Sequence, residues 1–335
     1  MATLGASVLT LLDWAKSLDP DGRVADVVEL LAQRNGILDD MLFKEGNEAT
    51  GHRTTVRTGL PSVFWRLLNA GVQPSKSTKA QITEGIGMLE AWSEVDKDLA
   101  ELNGDVNAFR LSEAKAFIEA MNQEMSQTTF YGNSSSSPEE FNGLAIRYAS
   151  LSAGNAENII DGGAAGGQTD CMSIWLVCWG EETVHGIFPK GSKAGIFHED
   201  LGLQTIEVSG GVAGTKMRAY QEHWQWKCGV ALKDWRYVVR IANIDKSALV
   251  AESSAADLTK LMIKAIHRLP DLASGRCAFY ANRTVVEFLD IQRRSDVAAG
   301  GGLTYMDVDG KNVPSFRGIP IRVCDALTEA EAVVA

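Results

Sequence analysis

The chain has 335 residues, 45% of them hydrophobic and 22% charged, an ordinary globular composition with enough apolar material for a sizeable core. Its net charge is −11, with 43 acidic against 32 basic side chains, the wrong sign for a protein built to grip a phosphate backbone. No apolar run approaches the roughly 20 residues that a membrane span needs. The first residues have no basic segment, and Asp13 and Trp14 interrupt their apolar stretch, so no signal peptide is expected and the protein should stay in the compartment where it is made.

In chain order, Asp19-Pro20-Asp21 offers a cap, a proline at the first helical position and an acidic first turn. Val24, Val27, Val28 and Leu31 follow at helical spacing, and Gly36 is placed to end that helix. After a polar stretch at 44–48, residues 51–92 carry β-prone runs, Arg53–Thr58, Val63–Leu68 and Gln81–Trp92, broken by Gly, Pro and Ser. Arg53, Arg57, Arg66, Glu84 and Glu90 lie inside those runs. A ribbon charged on its faces has little core of its own and should lean on something outside itself; the plainer alternative is a hairpin with solvated charges. Residues 108–131 carry the strongest helix signal, with Ala114, Phe117, Ile118, Met121 and Met125 expected on one stripe. Gly132, Asn133 and a serine run at 134–137 end it as a short flexible link.

Residues 140–250 have a mostly β texture, with strands expected at Ser173–Trp179, Thr183–Phe188, Leu203–Val208, Met217–Trp226 and Trp235–Ile244. From 252 onward the pattern is α/β. Ser254 and Asp257 suggest a capping box before Leu258, Leu261, Met262, Ala265 and Ile266. Cys277–Ala281 suggests a strand, Asn282 a cap for a helix through Val285, Val286 and Leu289, and Asp309-Gly310 a tight hairpin between Tyr305–Val308 and Lys311–Phe316. Gly318–Val323 closes as a final strand. No internal repeat is evident.

Motifs that carry chemistry are missing. The glycines at 162–167 lack the Gly-Lys-Ser/Thr of a phosphate loop and the spacing of a dinucleotide loop, so a mobile surface loop is the better reading. His198-Glu199 has glycine where a zincin needs its second histidine. His223 and Cys228 could share a strand face, but two ligands do not make a site. There is no Gly-x-Ser-x-Gly elbow, and Asp307 and Asp309 suit a hairpin turn better than a calcium loop. No catalytic, cofactor-binding or metal-ligating residue is assigned. Five cysteines, an odd count without a Cys-x-x-Cys, point to buried reduced thiols rather than a disulfide framework. Eight tryptophans, several in the clusters Trp175/Trp179 and Trp224/Trp226/Trp235, suit cores and protein–protein contacts.

The blocks GHRTTVRTGLPSVFWRLLNAGVQPSKST, LSEAKAFIEAMNQEMSQTTFYGN, CGVALKDWRYVVRIANID and SFRGIPIRVCDAL resemble the major capsid proteins of epsilon-fifteen-like and Bordetella-type tailed phages. The similarity runs from about residue 10 to 328. It implies an α+β Hong Kong 97-type capsid fold: an N-terminal arm (1–45), an E-loop with its flanks (46–103), a peripheral domain (104–250) with the spine helix at 108–131, and an axial domain (251–335), with element order after the spine helix permuted relative to the founding member. It also implies a shell subunit and no enzyme: copies form hexamers and pentamers of an icosahedral head that encloses double-stranded DNA without sequence-specific binding. The expected location is the virion shell, and the host cytoplasm during assembly. Expected partners are other copies of the chain, a cementing or decoration protein, and the portal and scaffold proteins; no cofactor and no membrane are implied. Arg53, Arg57, Trp65, Arg66, Lys76 and Lys79 are the candidates for contact between subunits, the bland alternative being solvated charges. Some relatives weld their shells through Lys–Asn isopeptide bonds, but no partner Asn is identifiable for Lys76 or Lys79, so non-covalent assembly is expected. An encapsulin-like cargo compartment and a cytoplasmic hydrolase are the rival readings.

Overall fold

The computed structural model describes residues 32–102, 105–207, 215–252, 255–295, 304–308 and 311–335, with the side chains of 293–313 left aside. The helix expected from Asp19 and the turn at Asp309-Gly310 lie outside the described residues. In chain order the elements are α1 (Ile37–Asp40), β1 (Phe43–Glu45), β2 (Gly51–Gly59), β3 (Thr78–Gly85), β4 (Gly87–Asp96), α2 (Lys97–Glu101) and the long helix α3 (Val106–Tyr131). They continue with β5 (Ile159–Asp161), β6 (Cys171–Trp179), β7 (Val184–Phe188), β8 (Ile196–Glu207), β9 (Lys216–Leu232), β10 (Val238–Asp245) and α4 (Lys246–Val250). The last are α5 (Leu258–Ile266), β11 (Arg276–Ala281), α6 (Arg283–Ser295), β12 (Thr304–Val308), β13 (Lys311–Phe316) and β14 (Ile319–Val323).

The centre is β6, whose nine residues are all buried. It pairs antiparallel with β10 on one side and β11 on the other, and β11 continues in parallel to β14. Side chains alternate across a strand. Trp175, Val177 and Trp179 therefore enter one core with Phe130, Tyr148 and Met125, while Met172, Ile174 and Leu176 enter a second with Leu258, Leu261, Met262 and Val285. A strand covered on both faces has no polar side to show, which explains the run CMSIWLVCW, apolar but for Ser173. α3 covers the first face; α5 and α6 cover the second.

α3 begins at Val106, capped by the Asp105 carboxylate, which accepts from the Ala108 N–H. Its inward stripe runs through Ala114, Phe117, Met121, Met125 and Thr128, with Phe117 stacked on Trp224 at 5.3 Å. Ile118, expected on that stripe, lies one position round the helix and is exposed. α5 is capped by Asp257 itself, through the Lys260 N–H, and Ser254 lies outside the described residues. Asn282 caps α6 through the Val285 N–H as expected.

Strand β9 joins the two halves of the sheet. From Lys216 to Cys228 it pairs with β4 and β8, and from Gly229 to Leu232 it pairs with β7. The strand expected from Leu203 starts earlier, at Ile196, so His198 and Glu199 sit in β8 and not on a helix. His223 and Cys228, five positions apart on β9, face opposite sides, which removes them as joint ligands. Four cysteines are buried and Cys277 is half-buried.

The C-terminal segment is tied in by a buried ion pair. Arg240 donates to Glu331 at 2.8 Å, Tyr131 Oη donates to the same carboxylate at 2.5 Å, and the Ser173 hydroxyl donates as well. Arg240 also lies 5.1 Å from the Trp175 ring centre. Removing one partner of such a pair strands the other charge in the core, at a typical cost of about 3–5 kcal/mol. Glu331→Ala should therefore lower the unfolding free energy of the isolated subunit by about that amount in urea titration; a change under about 1 kcal/mol would show that the tail contributes nothing to the fold.

Candidate inter-subunit site

Strands β2 and β3 form their own two-stranded sheet, from Gly51 opposite Gly85 to Gly59 opposite Thr78. At about 3.3 Å per residue the ribbon projects about 30 Å. The projecting part is shorter than the 51–92 expected, because β4 leaves the ribbon after Ile86 and pairs with β9 over ten residues. Residues 60–77 connect β2 to β3 with no strand, so Val63–Leu68 is not the β-segment expected. Pro61 and Pro74 flank it and lack the N–H a strand would donate, and no third strand lies beside it. The tip is held by two internal bonds, Ala70 N–H to Leu67 O at 3.1 Å and Ser75 Oγ to Ser62 O at 2.6 Å.

The root is held far more firmly. Glu84, 6% exposed, takes a two-pronged pair from Arg147, whose Nη2 lies 2.7 Å from Glu84 Oε2. The same guanidinium donates to the carbonyls of Asn142, Gly143 and Val230 at 3.0–3.1 Å, so its charge and its donors are both satisfied. Backbones cross tightly here. A Cβ on Gly229 would lie 2.5 Å from the Gly85 carbonyl, and one on Gly46 would lie 2.8 Å from the Gly51 carbonyl. Asn47 brackets Arg53, its Oδ1 accepting from the Arg53 N–H and its Nδ2 donating to the Arg53 carbonyl, both at 2.7 Å. Of these residues the sequence singles out Glu84 and Arg53, as charges inside the β-prone runs. Arg147 and the two crossing glycines had no local signal, because their partners are far along the chain.

Of the six candidates, Arg53 is already paired with Glu48 at 2.8 Å. Arg57, Arg66, Lys76 and Lys79 have no ion-pair partner among the described residues, and Trp65 is 103% exposed. With Trp65 stand Leu60, Val63, Phe64, Leu67 and Leu68, each at least 60% exposed. These large apolar side chains form a cluster beyond the reach of the chain's own core. Between residues 51 and 83 there are five cations and no carboxylate, in a chain of net charge −11. The tip is thus basic and apolar on an acidic body.

One titratable feature sits under the root. His52 on β2 meets His185 on β7 edge-to-face at 5.8 Å. His185 is fully buried, and burial first, then Lys233, His52 and Lys44, push it down to about 4, against a weaker opposing backbone contact at Gly180. No helix among the described residues is long and apolar enough to cross a membrane, and no group of His, Cys, Asp and Glu among them could hold a metal ion.

A family model described as Major capsid protein GP7 matches residues 19–335. A structure of bacteriophage Epsilon15 derived from cryo-EM and modelling is similar over 100% of both chains, at 34% identity and a TM-score of 0.78. The encapsulin of the holo-SrpI complex from Synechococcus elongatus PCC 7942 shares 12% identity over 71% of this chain and 97% of its own, at 0.46. A chain of Mycobacterium phage Bobi shares 12% over 70% and 98%, at 0.44. Scores that low carry no weight in the assignment. No curated protein matches.

Because His185 binds a proton less readily folded (about 4) than unfolded (6.5), the unfolded state gains protons as pH falls between those values. Its contribution is fully favourable above 6.5 and is lost on descending toward 4. Between pH 7.5 and 5 the isolated subunit should lose about 2 kcal/mol through this group, and His185→Leu should flatten the slope by that amount in urea titrations at the two pH values. An unchanged slope would remove His185 as the cause.

Proposed function

The chain belongs to the Major capsid protein GP7 family, and from that premise we propose that its ribbon is the device that joins one subunit to the next. The protein has the Hong Kong 97-type capsid fold and is the shell subunit of a tailed bacteriophage, self-assembling into the oligomers of the virion capsid. The full-length likeness to the Epsilon15 chain favours this over an encapsulin-like compartment.

The observation that carries the proposal is the ribbon, anchored at its root by Glu84 and Arg147 and bare at its tip. A two-stranded sheet is marginal unless a further layer covers it, and here a neighbouring subunit supplies that layer. Trp65 provides the apolar anchor, while Arg57, Arg66, Lys76 and Lys79 pair with carboxylates across the contact. Arg53 serves inside the subunit, steadying the ribbon against Glu48. In this reading the arm (1–45), the E-loop with its flanks (46–103), the peripheral part (104–250) and the axial part (251–335) are the working divisions. Hexamers and pentamers form non-covalently, without Lys–Asn welding through Lys76 or Lys79. Assembly takes place in the host cytoplasm with scaffold and portal proteins, and a cementing protein reinforces the closed shell. The shell encloses double-stranded DNA, and its acidic balance keeps packaged DNA from adhering. The subunit performs no catalysis.

The test is to replace residues 60–77 by Asn-Gly, which can close β2 to β3 as a short hairpin. The expected outcome, by negative-stain microscopy and sedimentation, is a soluble folded subunit that forms no stable shells. Normal shells from that variant would overturn the assignment.

A further inference from the structure

The tip and its most suitable acceptor lie at opposite ends of the same ribbon. At the root, next to where β4 begins, a pocket of about 200 Å³ is floored by Met88, Leu89, Met125 and Phe141 and rimmed by Glu124 and Glu139. It has room for one aromatic side chain. Met88 is 61% exposed there, and Glu124 and Glu139 have no ion-pair partner among the described residues. An apolar floor flanked by the two unpaired carboxylates Glu124 and Glu139 complements a tip of exposed apolar side chains flanked by unpaired cations.

Two larger cavities suit the tip less well. The one of about 450 Å³ beside β2 has its carboxylates Glu182 and Asp234 already paired with Lys233 and Arg236, and Arg57 stands beside them. The one of about 520 Å³ near α1 is polar, and Arg34, Arg276 and Arg322 outnumber its carboxylates Asp39 and Asp40, so it would not draw a basic tip. Nor can the chain fill its own pocket. The ribbon holds tip and root about 30 Å apart, and its two strands are hydrogen-bonded throughout, so the tip cannot fold back.

We propose that the tip of each ribbon, led by Trp65 and Arg66, seats in the acidic apolar pocket at the ribbon root of a second copy of this chain. This rests on the reading that the ribbon joins neighbouring subunits, and it names the place where it lands. Plug and socket are different surfaces, so the contact is head-to-tail. Repeated around a rotation axis it closes a ring in which every pocket is filled and no tip is left over. The same geometry explains why a lone subunit leaves both features bare.

A photo-crosslinking aromatic amino acid at position 65, activated in assembled shells, tests the landing place, with adducts located by peptide mass spectrometry. The expected adduct joins position 65 of one subunit to residues 87–89 or 124–141 of another. An adduct to a different segment of a neighbour would overturn the socket and leave the bridging ribbon standing. Absence of any inter-subunit adduct would overturn both. Charge reversal gives an independent readout. Glu124→Lys with Glu139→Lys should lower the assembled fraction at least tenfold while the free subunit keeps its melting temperature, and adding Arg66→Glu and Lys76→Glu in the same chain should restore most of it. Unchanged assembly in the first variant, or no recovery in the second, would contradict the docking.

Discussion

A two-stranded ribbon has two faces and no second layer, and the rest of this subunit is arranged around that constraint. The cost of projecting such an element from a stable body is met at its root. There Glu84 is buried against Arg147, and Arg147 spends its remaining donors on three backbone carbonyls. An ion pair in that position is justified by geometry more than by stability, since buried pairs contribute little net energy but tolerate few orientations. The close passage of Gly85 over Gly229 and of Gly46 under Gly51 adds steric definition to the same joint. β9 carries the joint into the body, because the residue that passes under Gly85 is the one where β9 turns from β4 to β7.

Charge is divided along the same line. The ribbon has only cations between residues 51 and 83, while the chain as a whole is acidic. Attraction between unlike parts of like molecules favours association of the subunit with itself. The acidic remainder disfavours adhesion to nucleic acid. Ion pairs on exposed side chains weaken as salt rises, so in the proposed contact the apolar side chains at the tip are the part that screening does not reach.

The body was legible in sequence where structure is made locally. The strand expected at Ser173–Trp179 forms as β6, starting at Cys171, and the long helix begins at Val106 against an expected 108. Asn282 capped its helix as expected. The misses share one cause. Ile118 fits an apolar stripe by spacing, but β4 and β9 pack against the neighbouring stripe through Phe117 and Met121. Val63–Leu68 has strand-forming residues and no strand to pair with. Glu84 looked like a flaw in a ribbon face because its partner stands 63 residues away. Of the site, the six candidate residues were legible as a charged, coreless stretch; the joint that aims them and the pocket at the root were not, since the joint brings β3 and β9 to residues 142–147 and the pocket brings β4 and α3 to residues 139–141.

The central claim is that this subunit is completed by its neighbours through the ribbon tip. Hydrogen–deuterium exchange of residues 51–85, compared between free subunits and assembled shells, tests it most directly. The account predicts that amides near Glu84 are already slow in the free subunit, while those of 60–77 exchange freely and become protected only in the shell. Equal exchange of 60–77 in both states would contradict it.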